Sequence, residues 1–252
     1  MQDLRRHFGG VRAVDGATFR VRRGSITALI GPNGAGKTTA FNLVTGFARP
    51  DGGRVRFDGR DVTAMGADRL ARLGMVRTFQ LTRVLGKMTV FDNVMLAGRD
   101  QPGERFLTAA LLPRRWRARE IALRARAERV IEDIGLTALR DAYAATLSGG
   151  QRKLLELGRA LMAEPRLVML DEPMAGVNPT LGRRLLTMLE RRRDDTGLTV
   201  LFIEHDMEVV MGRSDEVIVM GEGRVVVQDA PDVVSRDSRV IDAYLGGGLP
   251  GE

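Results

Sequence analysis

The run GPNGAGKT, at Gly31–Thr38, constrains the fold of this chain more than any other feature. It directly follows the apolar run Ile26–Ile30, and the helical pattern TTAFNLV comes after it. Glycines let the backbone curl so that successive amide N–H groups point inward, and a helix N-terminus adds partial positive charge. The alternative is a glycine-rich turn that happens to contain a lysine. The flanking strand and helix favour a phosphate-binding loop within a parallel α/β sheet.

The residue types in this loop suit a nucleotide bound with a divalent cation. Lys37 is placed to reach the β and γ phosphates, and the Thr38 hydroxyl is placed to ligate Mg²⁺. We therefore expect ATP and Mg²⁺ as ligands. The candidate nucleotide-binding residues of the loop are Asn33, Gly34, Ala35, Gly36, Lys37, Thr38 and Thr39.

A pair of acids follows a second buried strand. LVMLDE places Asp171 and Glu172 directly after four apolar residues. Asp171 is expected to hold Mg²⁺ through its water shell, and Glu172 to orient and polarise the attacking water, because phosphoryl transfer mostly needs positioning and charge neutralisation. The alternative is a strand end with two solvated acids.

The run LSGGQ, at Leu147–Gln151, stands at the head of an amphipathic helical pattern. Ser148 as N-cap and Gln151 at the third helical position form a capping box. A capped helix N-terminus with exposed glycines is also an anion site, so the structural and the functional interpretations are compatible. The candidate residues are Ser148, Gly149, Gly150 and Gln151.

Strand and helix patterns alternate along most of the chain, which predicts a parallel α/β sheet. Residues 84–147 have helical spacing instead, with no convincing strand. Helices are expected at Gly149–Met162 and from Pro179 to about Arg193. Strands are expected at Ala17–Val21, Ile26–Ile30, Arg54–Phe57, Leu167–Leu170, Leu198–Ile203, Val217–Met220 and Arg224–Val227.

Composition excludes several classes of protein. No apolar stretch approaches the roughly 18 residues that span a bilayer, and the N-terminus lacks the apolar run of a secretory signal. The absence of cysteine excludes disulfides and thiolate metal sites and fits a reducing cytosol. The net charge is +7, with a dense group of arginines at Arg114–Arg129. A solvated helix face, attraction to anionic lipid headgroups and nucleic-acid binding stay open for that segment, in this order of preference.

GPNGAGKT, LSGGQ and LVMLDE, in this order, closely resemble the ATPase subunits of ABC transporters, over nearly the whole chain. The resemblance implies an α/β fold: a P-loop NTPase core of the ABC ATPase type, with an N-terminal antiparallel β-subdomain and an inserted α-helical subdomain. We expect one domain over residues 1–252, with the insertion at residues 84–150. The family's activity is ATP hydrolysis coupled to transmembrane transport.

The resemblance also implies roles that the residues alone do not. Ser148 and Gly150 are expected to act on the γ-phosphate held by a second subunit. Gln80 resembles the glutamine that contacts Mg²⁺ and the attacking water and couples to the permease, and His205 resembles the histidine that contacts the γ-phosphate. Phe8 stands where the family places an aromatic ring on adenine; the alternative is a core phenylalanine.

Only MQD precedes Leu4, where relatives usually have a short strand of several residues.

The loop MAGVNP has Asn178 where many relatives have aspartate, and Asn178 before Pro179 is also a plain helix start. Because of this difference from the relatives, the role of Asn178 across a dimer stays open.

Other segments resemble the importers of branched-chain and other hydrophobic amino acids: RTFQ, KMTVFDNVMLA, KLLELGRALM, DEPMAGVNP and VIDAYLG. That resemblance implies a second ATPase subunit, giving a heterodimer or a homodimer, with permease subunits and, indirectly, an extracytoplasmic solute-binding protein. It implies a peripheral position on the cytoplasmic face of the plasma membrane and no nucleic acid.

Urea or amide importers and the lipopolysaccharide-export ATPase share much of the pattern. A soluble ABC ATPase without a permease and a nucleotide-sensing module without turnover are alternatives from other classes.

Overall fold

The structure is a computed structural model that describes residues 1–78, 84–98 and 113–245. By their internal contacts the residues form two compact units. The core unit comprises Met1–Arg77, Arg166–Pro173 and Leu189–Glu252, and the helical unit comprises Thr78–Pro165 and Met174–Met188. These bounds differ from the insertion expected at residues 84–150, which stays a prediction.

The described strands all lie in the core unit. They are β1 Gln2–Phe8, β2 Val11–Ala17, β3 Ile26–Ile30, β4 Gly52–Arg54, β5 Arg56–Phe57, β6 Arg60–Asp61, β7 Met75–Arg77, β8 Leu167–Asp171, β9 Thr199–Ile203, β10 Glu216–Gly221 and β11 Arg224–Asp229.

The described α-helices are α1 Lys37–Val44, α2 Ala67–Leu73, α3 Val90–Leu96, α4 Pro113–Asp133, α5 Gly149–Met162, α6 Pro179–Thr196, α7 Met207–Arg213, α8 Pro231–Val234 and α9 Ser238–Leu245. Short 3₁₀ turns lie at Thr137–Leu139 and Ala144–Thr146.

The larger sheet has the strand order β11-β10-β3-β9-β8-β7. Neighbours from β10 to β7 are parallel, and β10 and β11 form an antiparallel hairpin. Every residue of β3, β8 and β9 is buried. Fully buried apolar strands are typical of a parallel sheet that is covered on both faces. The predicted α/β sheet is therefore confirmed.

The N-terminal sheet is antiparallel, with the order β2-β1-β4. The prediction of a strand at Ala17–Val21 is wrong, because the strand that pairs with β1 is Val11–Ala17. Ala17 is its last residue, and Phe19 beyond it is buried in the apolar core instead. β1 begins at Gln2, so the short segment before Leu4 contributes to a strand.

The strand expected at Arg54–Phe57 is divided in two. β4 pairs with β1, whereas β5 pairs with β6. Between them Val55 is buried, and its N–H donates to the hydroxyl of Thr63 at 2.9 Å. The backbone therefore changes partners at Val55, which a periodicity of apolar residues does not reveal.

Helices α3, α4 and α5 pack together in the helical unit. Gly158 of α5 permits a close approach to α4, since a Cβ there would lie 2.7 Å from Cδ1 of Ile134. The predicted helix Gly149–Met162 is confirmed at both ends. Along α4 the side chains of Arg117, Arg119 and Arg129 are exposed, and the three interpretations of the basic segment stay predictions.

No helix among the described residues combines the length and the apolar character needed to cross a membrane.

Asn93, on α3, is fully buried and its side chain holds the loop before the helix. Its Oδ1 accepts from the N–H of Leu85 at 2.9 Å, and its Nδ2 donates to the carbonyl oxygens of Leu85 and Thr89 at 3.0 and 2.9 Å. One side chain thus forms these three hydrogen bonds with the backbone of the segment that precedes the helix.

Replacing Asn93 with alanine should lower the free energy of unfolding by about 2–4 kcal/mol, because a buried side chain loses its hydrogen bonds to the N–H of Leu85 and to the carbonyls of Leu85 and Thr89. Urea unfolding followed by circular dichroism measures this. Leu96→Ala, on the same helix but with an exposed side chain, should stay within about 1 kcal/mol of the parent. Equal losses in both variants would contradict the proposed anchoring by Asn93.

Candidate active site

Three adjacent strands of the larger sheet end at the residues with candidate chemistry. β3, β9 and β8 are neighbours in that order and run parallel. Ile203, the last residue of β9, pairs with Leu29 on one side and with Asp171 on the other. At one edge of the sheet, therefore, three segments leave the strands at the same level. They carry the phosphate-binding loop, the acid pair and His205. In open α/β sheets this carboxyl edge is where ligands bind.

The loop Gly31–Thr38 adopts a conformation that depends on glycine. Gly36 is the N-cap of α1 with φ of 93°, and a Cβ at this position would overlap the carbonyl oxygen of Ala13. Gly31, with φ of 146°, would in the same way overlap the carbonyl oxygen of Met220. Both positions exclude larger residues, because the backbone of neighbouring strands approaches them so closely.

Lys37 is buried and its ammonium group turns back onto the loop. Nζ donates to the carbonyl oxygens of Gly31 at 2.7 Å and Pro32 at 2.9 Å. Burial lowers the pKa of Lys37, while the charges of Glu172 and Asp171 act to raise it. A desolvated cation whose present partners are neutral carbonyls is suited to an anionic ligand, because charged acceptors give stronger hydrogen bonds.

Glu172 and His205 lie in contact at this edge. Nε2 of His205 is 2.9 Å from Oε1 of Glu172. Glu172 has φ of 50°, which for a residue other than glycine costs of the order of 1–3 kcal/mol. Its N–H donates to the carbonyl oxygen of Ile203 at 3.0 Å, which holds the turn in place. The strained turn directs the carboxylate away from the end of β8 and towards His205.

Asp171, one residue earlier, is held differently. Its Oδ2 accepts from Nη2 of Arg77 at 2.7 Å, and both side chains are almost entirely buried. The alternative of two solvated acids therefore does not hold for Asp171. Arg77 was not among the residues that the sequence analysis selected.

Phe8 ends β1, and its side chain is 51% exposed. The alternative of a core phenylalanine is therefore wrong. The guanidinium of Arg6 lies 4.8 Å from the centre of the ring. Arg6 is anchored in turn by Asp51, whose Oδ1 accepts from its Nη1 at 2.8 Å. An exposed ring with an anchored cation on it is a ready platform for stacking.

The LSGGQ segment lies in the helical unit and begins α5. The capping box is confirmed: the Ser148 hydroxyl accepts from the N–H of Gln151 at 3.2 Å, and the Gln151 side chain accepts from the N–H of Ser148 at 2.9 Å. Ser148 and Gly149 are exposed. The start of the helix is thus open to an anion from outside the chain.

Asn178 caps α6 in the helical unit. Its Oδ1 accepts from the N–H of Thr180 at 2.9 Å, directly before the first helical residue, Pro179. The plain helix start predicted at this point is confirmed, and a role of Asn178 across a dimer stays a prediction.

The core unit brings together Lys37, Asp171, Glu172 and His205. Gln80 lies outside the described residues. Tyr244, on α9, is an addition that the sequence analysis missed as a site residue, although it lies in the segment VIDAYLG. Burial raises the pKa of its hydroxyl, while the backbone of Gly31 acts to lower it. The last described helix therefore lies near the first residue of the phosphate-binding loop.

Comparisons with known proteins agree with this arrangement. Residues 14–175 match the ABC transporter family. The chain is 38% identical to the high-affinity branched-chain amino acid transport ATP-binding protein BraF of Pseudomonas aeruginosa, over 96% of this chain and 95% of the relative. It is 40% identical to the probable branched-chain amino acid transport ATP-binding protein LivG of Archaeoglobus fulgidus, over 97% and 94%.

Solved structures give the same result for the fold. A crystal structure of the ADP conformation of an ATP-binding cassette from an ABC transporter superposes with a TM-score of 0.82, at 36% identity and with 97% of each chain covered. The fold expected from the sequence is therefore confirmed. With the convergence of the phosphate-binding loop and the acid pair at one sheet edge, these findings show that the chain belongs to the ABC transporter family, as an ATP-hydrolysing, ATP-binding subunit.

Proposed function

We propose that the carboxyl edge of β3, β9 and β8 is the site at which this subunit binds and hydrolyses MgATP. The observation that carries the proposal is the convergence of Lys37, Asp171, Glu172 and His205 there. Adenine stacks on Phe8, the backbone N–H groups of Asn33–Thr39 surround the phosphates, and Lys37 exchanges its loop carbonyls for phosphate oxygens.

The residues present also fit a magnesium ion. Mg²⁺ in nucleotide sites is commonly held by one or two protein oxygens together with substrate phosphates and water. Thr38, Asp171 and Gln80 supply oxygens of this kind. These residues would hold the ion beside the phosphates, where it would supply positive charge to neutralise the charge that develops during transfer.

Glu172 and His205 serve the attacking water and the γ-phosphate. The Glu172 carboxylate accepts a hydrogen bond from the water and orients it, which is the main requirement of a loose phosphoryl-transfer transition state. Nε2 of His205 lies 2.9 Å from that carboxylate before nucleotide binds, and with ATP in place the same nitrogen donates to the γ-phosphate instead. A protein that only senses nucleotide needs no such pair.

Turnover requires a second ATPase subunit, either the same or a related chain. The supporting observation is the exposed, capped start of α5, whose Ser148 and Gly150 approach the γ-phosphate of the partner, with Gly149 and Gln151 completing the segment. Closure of the pair drives permease subunits at the membrane, with Gln80 in the coupling path. The subunit is thus peripheral, on the cytoplasmic face, and binds no nucleic acid.

The transported solutes are branched-chain or other hydrophobic amino acids, delivered by an extracytoplasmic binding protein. Support comes from the names of the BraF and LivG relatives, which match nearly all of this chain. Urea or amide import and lipopolysaccharide export are the competing assignments.

Replacing Lys37 with alanine should weaken ATP binding roughly 10- to 100-fold, because charged hydrogen bonds contribute about 1.5–3 kcal/mol. Isothermal titration calorimetry with ATP measures this. Lys87→Ala is the matched control, since Lys87 is exposed and outside the loop. Parent-like affinity in Lys37→Ala would contradict the role of this side chain.

Glu172→Gln should retain ATP binding and lower turnover by roughly 10²- to 10⁴-fold, the usual contribution of a positioned acid–base group. Phosphate release and size-exclusion chromatography with ATP test this, and we expect a stable dimer to accumulate. Glu222→Gln is the control, because Glu222 is exposed and also has a positive φ, of 48°. Hydrolysis by Glu172→Gln at the parent rate would reject the assignment.

Vesicles that contain this subunit assembled with its permeases, and that are supplied with the binding protein, should take up radiolabelled leucine when ATP is inside. Uptake should be lost with Glu172→Gln and kept with Glu222→Gln, because only the first change removes the group that orients water. Normal ATP hydrolysis without leucine uptake would reject the substrate assignment and direct the search to urea, amides or lipid.

A further inference from the structure

Arg77, the last residue of β7, forms a buried ion pair whose presence stability alone does not explain. Its side chain is 8% exposed and that of Asp171 is 3% exposed. Desolvating two charges costs so much free energy that a buried pair is often no more stabilising than apolar residues of similar size. A pair that includes a candidate magnesium residue therefore points to a role at the site.

The guanidinium of Arg77 connects two elements of the site. Nη2 donates to Oδ2 of Asp171 at 2.7 Å, and Nη1 donates to Oδ1 of Asn42 at 2.6 Å. Asn42 belongs to α1, the helix that starts with Lys37 and Thr38. Because the guanidinium is planar and rigid, it fixes the direction of the Asp171 carboxylate relative to that helix.

Aromatic rings hold the same guanidinium from other sides. Its carbon Cζ lies 5.6 Å from the ring centre of Phe41 and 5.8 Å from that of Phe47. Nε is buried and has no hydrogen-bond partner among the described residues. The orientation of Arg77 is therefore set by its two terminal nitrogens and by the rings.

We propose that Arg77 is a positioning residue for magnesium-dependent ATP hydrolysis, which fixes the Asp171 carboxylate and ties it to α1 through Asn42. The inference rests on the proposed function, because it takes Asp171 as a magnesium residue. A carboxylate accepts at both oxygens, so the contact of Arg77 with Oδ2 is compatible with a second contact of Oδ1 with a metal-bound water.

Lysine cannot replace arginine in this role. Its ammonium is a point charge without the planar pair of donors, so it can compensate Asp171 but cannot also hold Asn42 in a fixed direction. Arg77→Lys thus separates charge from positioning. Asn42→Ala makes the same separation from the other partner, since it also keeps the ion pair and removes its second anchor.

The experiment uses the purified full-length subunit and its variants Arg77→Lys and Asn42→Ala. Arg69→Lys is the matched control, because Arg69 is an exposed arginine on α2. Thermal unfolding is recorded without ligand, with ATP and EDTA, and with ATP and Mg²⁺. ATP hydrolysis is then measured against free Mg²⁺ at saturating ATP.

We expect Arg77→Lys to keep the parent's stabilisation by ATP in EDTA and to lose most of the extra stabilisation by Mg²⁺. Its half-saturating Mg²⁺ concentration should rise about 10-fold or more, as is common when a residue that orients a metal ligand is changed. Asn42→Ala should show a smaller rise, and Arg69→Lys none.

A folded Arg77→Lys with the parent's half-saturating Mg²⁺ would overturn the proposal and leave Arg77 as a structural ion pair. If Arg77→Lys does not fold, a parent-like Mg²⁺ dependence in Asn42→Ala overturns it instead. The variant Asp171→Asn distinguishes failure of the Arg77 proposal from failure of the proposed magnesium role of Asp171. If it hydrolyses ATP with unchanged Mg²⁺ dependence, the magnesium role of Asp171 itself fails, whatever Arg77 does.

Discussion

The parallel pairing of β3, β9 and β8 is the constraint on which the rest of the site depends. Ile203 stands level with both Leu29 and Asp171, so the segments that leave these strands start together. A shift of the register by one residue would move Asp171 about 3.3 Å along the sheet and turn its side chain to the other face. The completely buried side chains of these strands therefore help to determine where the charged residues lie, because a shifted register would pack each of them against the opposite layer.

Charge compensation is the second requirement of this edge. Lys37 and Arg77 are both largely withdrawn from water, and so is Asp171. Each cation has partners before any ligand is bound: loop carbonyls for Lys37, and Asp171 with Asn42 for Arg77. Unpaired buried charges would be costly, so these contacts keep the site folded. The two cations differ in how easily they exchange their partners for phosphate. Neutral carbonyls compete weakly with phosphate for Lys37, whereas the Asp171 carboxylate competes strongly for Arg77.

The sequence predicts the parts of the site that are local and misses those that join distant segments. The phosphate-binding loop, the acid pair and the capping box each lie within a few residues and have defined spacing, so their local structures could be predicted. The Arg77–Asp171 pair joins residues 94 positions apart, and no local pattern marks it. The proximity of Tyr244 to Gly31 likewise joins distant segments of the chain. The misplaced strand at Ala17–Val21 has the same origin, because the partner strand and not the apolar pattern determines which residues pair.

At two positions one residue is suited both to the fold and to the proposed chemistry. At Ser148 the hydroxyl oxygen accepts from the Gln151 N–H, and a hydroxyl that accepts still has a proton to donate. The cap therefore holds the helix while leaving a donor for an anion that comes from outside the chain. At Glu172 the positive φ is maintained by the N–H bond to Ile203 and directs the carboxylate to His205. Relaxing that strain would stabilise the turn but displace the carboxylate, so the conformation is better explained by what the carboxylate must reach than by stability.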